Sequence, residues 1–382
     1  MSIRLRPLVP RDAGALAALH TRVHPHSEWR SPAAYASYAL EMLFRNPWVD
    51  PEIPSWAAEE DGRLVGFLGV VPRRMLFGHR AIRVAVSCQL MVDPDKRASF
   101  VALELLRRLF AGPQDLTVAD GANDASRGLW EASGAIASAL HSLHWVRLLR
   151  PAQGLLKLAA NRLRGLSVIA NPFAAFADAC MARLAPLKLQ PGLREGELNA
   201  ETLCEALRQI QGYTLRPDYD VASLEWVLAQ AAAKRRHGEL QSCIVHDRAG
   251  RIIGWFLYYL NDAVSQVLQL GARRGCLSML LEQLAHHARA RGARALEGRM
   301  EPSLTAPLRG KRVLMHNRAV STLLHARDQS LLVPFLRGDA FFSRLEGEWW
   351  MRFSGEAEQQ PTGQEVATPL SNIKSPRASP AR

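Results

Sequence analysis

Lysine is scarce in this chain, although the chain is strongly basic. Of 48 Lys and Arg residues among 382, only six are Lys; against 36 acids the formal net charge is +12. A field of that sign attracts anions in general. The runs that carry it are short: Arg73-Arg74, Lys234-Arg235-Arg236, Arg273-Arg274 and Lys311-Arg312. None is interleaved with aromatic residues, so nucleic acid is not an expected partner. Long apolar runs are missing too. Arg, Asp, Asn-Pro or Gly interrupts each one before the ~18 residues that a membrane span needs. The stretch Met1 to Arg11 has no apolar core of a secretory leader, so a cytoplasmic protein is expected. The five cysteines (Cys88, Cys180, Cys204, Cys243, Cys276) are widely spaced, odd in number and form no CxxC pair. That argues against a disulfide framework and a zinc ribbon. His141 and His144, three apart, show no third ligand, and His286-His287 is placed on the wet face of its helix. No metal is expected. G-x-S-x-G, P-loop and H-E-x-x-H motifs are absent, so those enzyme classes lack support.

What is present is a globular composition, 48% apolar and 22% charged, with a length that suits two domains. Ile3 to Leu8 alternates as a half-buried strand does. Helices are expected from Asp12 to Val23 and from Pro32 to Phe44. Ser55–Glu60 and Arg63–Val71 form a hairpin around Asp61-Gly62. Ile82–Val92 is a third strand, Ala98–Phe110 a helix, Leu116–Ala119 a strand and Asp124–Ser133 a short helix. Much of that order recurs. Val221–Ala233 reads as a helix, and Gln241–His246 and Arg251–Leu260 as a hairpin. Ala263–Leu270 follows as a strand, then the amphipathic helix Leu277–Arg291 and the strand Ala293–Met300. The domains are therefore placed at 1–150 and 196–353, with a helical connector at 151–195 and a disordered tail at 354–382. The connector carries an apolar face broken by Asn171-Pro172; docking between the halves is the simpler reading, a membrane-surface amphipath the other. Trp349-Trp350, with Phe341, Phe342 and Phe353, is read as the core of a last strand.

The stretch Leu90-Met91-Val92-Asp93-Pro94-Asp95-Lys96-Arg97-Ala98-Ser99-Phe100-Val101-Ala102 runs from a strand end through a basic turn into a helix. A helix N-terminus offers free N–H groups and a positive dipole end, which together suit an anion. This stretch resembles motif A of the GCN5-related N-acetyltransferase (GNAT) superfamily, with Val92, Pro94, Arg97 and Ala102 on matching positions. The Glu60–Gly66 hairpin before it is similar to the family's, as are Asp120–Asn123 and Leu129-Trp130-Glu131-Ala132-Ser133-Gly134 after it. Arg273-Arg274-Gly275-Cys276-Leu277-Ser278 resembles the same motif in the second half.

The resemblance implies an α+β fold of two such domains in tandem, each a mixed, mostly antiparallel sheet flanked by helices. It implies acetyl-CoA or another acyl-CoA as co-substrate. The implied activity is direct acyl transfer to an amine of a small molecule or amino sugar. It also implies that Leu90, Val92, Arg97, Ala98, Ser99, Ala102 and Asn123, or Arg273, Arg274, Gly275, Cys276 and Ser278, hold the cofactor. Phe100 stands at a glycine position of the motif and is expected to crowd the first cradle. Trp130 replaces the family's acidic tyrosine, and Ser87, Cys88 and Gln89 stand where a catalytic Glu is common. A tandem member with a degenerate first motif is thus expected, and the second corner is preferred as the CoA site. Asp120 and Glu297 are the expected bases, with Glu301 and Asp262 behind them. The competing expectation is a degenerate pair that binds acyl-CoA or a partner without turnover. Nothing in the sequence speaks to oligomeric state.

Overall fold

The computed structural model describes residues 3–150 and 189–353, apart from positions 28, 30, 97–99, 210–211, 262, 312, 318–319 and 352. Most of the expected connector and all of the expected tail lie outside the described residues. β1 (Arg4–Pro7) leads into α1 (Ala13–Val23) and α2 (Pro32–Phe44), then β2 (Trp56–Glu60), β3 (Arg63–Phe77) and β4 (Arg80–Val92). Asp61 and Gly62 both take positive φ, 49° and 77°, as a two-residue hairpin turn requires. Ser31 caps α2 by accepting from Ala34 N, and Pro32 supplies its first helical residue. Asp12 precedes α1 as expected, but its carboxylate turns to Arg6 and to the Val9 N–H instead of capping the helix. α3 (Val101–Phe110) crosses to β5 (Leu116–Ala122), followed by α4 (Asp124–Ala132), β6 (Ile136–Ser138) and β7 (His144–Leu148).

The second half opens with β8 (Arg194–Gly196), α5 (Ala200–Gln209), β9 (Leu215–Pro217) and α6 (Val221–Ala232). Asp220 caps α6 at 2.8 Å from Ser223 N, a contact of about 1 kcal/mol. Next come β10 (Glu239–His246), β11 (Ile252–Leu260), β12 (Ser265–Ala272), α7 (Leu277–Ala290), β13 (Ala295–Arg299), β14 (Val313–His316) and β15 (Ser321–Ala326). The repeated order expected from sequence is therefore present, as two mixed sheets flanked by helices.

The sheets do not respect the halves of the chain. One runs β1-β2-β3-β4-β5-β15-β6, with β9 added at β3; the other runs β14-β7-β13-β12-β11-β10-β8. Each half thus lends the other a strand: β7 inserts between β13 and β14, and β15 between β5 and β6. Each sheet has one parallel pair, β4 with β5 and β12 with β13. The exchange crosses the boundaries drawn at 150 and 196. It also corrects the pairing of His141 and His144 on a helix face, because His144 opens β7. No helix among the described residues is long and apolar enough to cross a membrane.

Between the sheets lies a core drawn from α1, α2, α5, α6, β3 and β11, closed by Phe341, Leu345, Trp350 and Met351. α3 covers the other face of the first sheet, and α7 that of the second. The described residues of 341–353 form no strand. They are a buried irregular segment, and Trp350 donates Nε1–H to Leu345 O at 2.9 Å. Beside it Arg299, fifth in β13, meets Asp120, fifth in β5, at 2.9 Å with both side chains buried. Removing one partner strands the other's charge in a low dielectric. Arg299→Met is expected to destabilise the fold by about 3–5 kcal/mol in urea titration; a loss below ~1 kcal/mol would mean the pair does not join the sheets.

Candidate active site

In the first sheet, β4 and β5 pair only from Val84 to Val86 against Leu116 to Val118, then splay apart. Asp93 N–H bonds Val65 O on β3 at 2.8 Å. By the alternation of an antiparallel ladder, the N–H groups of Leu90 and Val92 therefore face the opening. Gln89 is an extra residue at the register shift with β3, and its φ of 48° marks the bulge. Gln89, Leu90 and Val92 are half-buried, and Gly121 across the gap is exposed.

A carboxylate from the far end of the chain enters this gap. Glu348 Oε1 accepts from Gly121 N at 3.1 Å on β5, and the carboxylate also accepts from the backbone N–H of Gln89 on β4. Its own N–H donates to Asp120 Oδ1 at 2.6 Å. Burial, reinforced by the charge of Asp120, pushes the Glu348 pKa up to about 8. Asp120 is thus brought to the site, but as an anchor. One oxygen takes the Glu348 N–H, the other takes Arg299 Nη1, and Trp349 N–H also donates to it. Tyr35 Oη donates to Gln89 Oε1 at 2.5 Å and steadies the bulge. Deeper in, Glu346 accepts from Gln269, Tyr219 and Ser343, and burial raises its pKa. Burial likewise takes Glu301 to about 8.

At the first corner, Phe100 is 78% exposed. Asp93 pairs with Arg22 at 2.7 Å and Arg63 at 2.8 Å, and Lys96 pairs with Glu60 at 2.7 Å. A cavity of about 250 Å³ lies here, lined by Glu60, Asp61, Arg63, Val65, Asp93 and Lys96. Ala102 is half-buried in the first turn of α3. Arg97, Ala98 and Ser99 lie outside the described residues. Asn123 caps α4 through its side chain, accepting from Ser126 N at 2.9 Å, so that group is already engaged. Trp130 is core, edge-on to Phe110.

The second corner differs. Arg273, Arg274, Gly275 and Ser278 are exposed, and neither arginine has an ion pair among the described residues. Gly275 takes φ 81°, and Cys276 is buried. Yet the splay behind this corner is sealed. β12 and β13 pair only at Ser265 and Gln266. Beyond that point every residue of β12, and all of β13, is buried. The strands on either side are packed as tightly: Trp145 on β7 covers Gly298 and Trp255 on β11 covers Gly271, where a Cβ would lie 2.5 Å and 2.3 Å from the rings. Glu297, an expected base, is held by Arg344 at 3.1 Å and stands 3.3 Å from His144. Arg344 Nη1 also reaches Val267 O and Gln266 Oε1. The open gap is in the first half, opposite to the sequence expectation.

Sequence reasoning missed Glu348, Arg299 and Arg344, and named Gln89 only as standing where a catalytic Glu is common. One signal was available in Glu346-Gly347-Glu348-Trp349-Trp350. A Cβ on Gly347 would fall 2.0 Å from Asp120, so only glycine lets the segment lie against that carboxylate.

No family model and no curated protein matches the chain. Solved structures do. A GCN5-related N-acetyltransferase from Anabaena variabilis aligns with TM-score 0.56 at 11% identity, over 85% of this chain and 73% of its own. A probable N-acyltransferase from Enterococcus faecalis gives 0.57 at 10%, over 88% and 74%. Eis1 from Mycobacterium abscessus gives 0.51 at 11%, over 87% and 76%. At these identities the likeness establishes the fold: the chain is built as the GCN5-related N-acetyltransferases are, as the motif resemblance implied.

The raised carboxylates carry a stability signature. A folded pKa above the unfolded value contributes stability that is complete below the unfolded pKa and is lost as pH rises through the folded one. For Glu348 and Glu301 that window runs from 4.5 to about 8. The unfolding free energy is expected to fall from pH 5 to pH 8, and Glu348→Gln with Glu301→Gln to flatten the decline. Urea titrations at three pH values check it; a flat wild-type profile would contradict the assignment.

Proposed function

We propose that the first splay binds an acyl-CoA, acetyl-CoA foremost, and that the chain transfers the acyl group to a primary amine of a small molecule or amino sugar. One observation carries this reading: a strand splay that reaches solvent at Gly121, with the N–H groups of Leu90 and Val92 directed into it and a high-pKa carboxylate inside. The thioester carbonyl lies against the outward N–H of Leu90, which stabilises the oxyanion as charge develops. The neutral amine attacks the carbonyl carbon, and Glu348 takes the amine proton. The tetrahedral intermediate then expels the CoA thiolate, which is protonated to the thiol. With Trp130 in the core, no hydroxyl acid is assigned to that step.

The motif resemblance suggests where the rest of the cofactor goes. Val92 and Ala102 would meet the pantetheine arm and Arg97, Ala98 and Ser99 the pyrophosphate, at the N-terminus of α3. Arg273 and Arg274, with Gly275, Cys276 and Ser278, keep an exposed cationic corner, but the sealed splay behind it leaves no room for a thioester. A cytoplasmic location suits the co-substrate. The second reading, a protein that binds acyl-CoA without turnover, is favoured by Glu348 itself, since its carboxylate already spans the gap.

Thiol release from acetyl-CoA across a panel of amines separates the two readings. Turnover is expected, with kcat/KM rising with pH to a plateau above about 8. Glu348→Gln should lower kcat at least ~100-fold and leave the acetyl-CoA Kd within about twofold. Binding without thiol release from any amine would establish the second reading; no binding at all would remove both. A second comparison locates the site. Leu90→Pro, which deletes the N–H, should abolish turnover, whereas Arg273→Ala should change kcat/KM less than about threefold.

A further inference from the structure

Three side chains with metal-ligand chemistry converge on the outer face of the second sheet, away from the splay. Glu195 on β8, Cys243 on β10 and His287 on α7 bring a carboxylate oxygen, a sulfur and an imidazole nitrogen within 4.8 Å of one another. Cys243 and His287 are buried, and Glu195 stands at the solvent edge. His287 therefore lies on the packed face of its helix, not the wet face expected from sequence. Tyr258 on β11 hydrogen-bonds His287 Nδ1 at 3.0 Å, and Gln283 Nε2 donates to Glu195 Oε1 at 2.8 Å. Two of the three groups are thus oriented by a neighbour, as metal ligands usually are. In the tautomer that donates Nδ1–H to Tyr258, His287 Nε2 turns its lone pair toward Glu195 Oε2, 3.9 Å away. Two acceptors then face each other across a gap that a cation would satisfy.

We propose that Glu195, Cys243 and His287 bind one Zn²⁺, with a water in the fourth position. The donor set selects the metal: thiolate, imidazole and carboxylate suit zinc, whereas magnesium and calcium take oxygen alone. Bond lengths of about 2.0–2.3 Å require the three atoms to close by roughly 1 Å. Glu195, on an exposed three-residue edge strand, is free to make that move. Binding converts the Cys243 thiol to a thiolate and releases its proton to solvent. The positive field of Arg291 reaches Cys243 and His287 and works against the cation. The metal would clip β8 and β10 to α7; its role is structural and independent of acyl transfer.

The test uses the full chain, stripped with chelator and titrated with Zn²⁺ or Co²⁺. One equivalent of zinc is expected by dialysis and metal analysis, with a higher Tm in excess zinc. Co²⁺ should give a thiolate-to-metal absorption band. Cys243→Ser and His287→Gln, each checked for native far-UV dichroism, should weaken binding by ~10–100-fold, and Cys243→Ser should remove the cobalt band. Absence of stoichiometric binding overturns the proposal, as does affinity unchanged in both variants. Should the buried variants fail to fold, Glu195→Gln decides: a ~10-fold loss supports the site and wild-type affinity overturns it.

Discussion

Arg299 and Asp120 meet where the two sheets face each other, and the rest of the site is arranged around that contact. Two charges taken out of water need good geometry and further hydrogen bonds to offset their desolvation. Here the second Asp120 oxygen supplies them, by accepting backbone N–H groups from the 341–353 segment. The ion pair therefore does more than join the sheets: it fixes the backbone that delivers Glu348 into the first splay. Arg299 comes from β13 and Asp120 from β5, so the Glu348 carboxylate is positioned by both halves of the chain at once. Strand exchange has the same consequence at larger scale, because neither sheet is complete without a strand from the other half.

Similar architecture meets two fates. Both halves form the parallel strand pair that diverges after a few residues, and both carry a basic corner before a helix. In the first half the gap reaches solvent at Gly121, while Arg63 and Lys96 at its corner pair with Asp93 and Glu60. In the second, Arg273 and Arg274 have no ion pair among the described residues, and the gap is spanned by Arg344 and its pair with Glu297. Charge at the corner and space in the splay are separate requirements for holding a thioester carrier.

Much of this was legible along the chain. The two hairpins, the amphipathic α3 and α7, and the helix starts at Pro32 and Val221 follow from turn chemistry, periodicity and caps, all of which are local. Leu90 and Val92 were named on motif position, and their N–H groups face the first splay. Asp120 was also named, and it does sit at the site, as an anchor. Glu297 was misjudged because its partners, Arg344 and His144, are remote in sequence and adjacent only after strand exchange.

The pattern of residues by itself determined the element types, their repeated order and the basic strand-to-helix corners, because each depends on neighbours a few positions away. Tertiary structure alone decided which gap is open, which carboxylate enters it and how high its pKa stands. Those properties depend on burial and on charges brought from opposite ends of the chain, as when Glu348 meets Gln89, Gly121 and Asp120. Local spacing carries no record of such encounters.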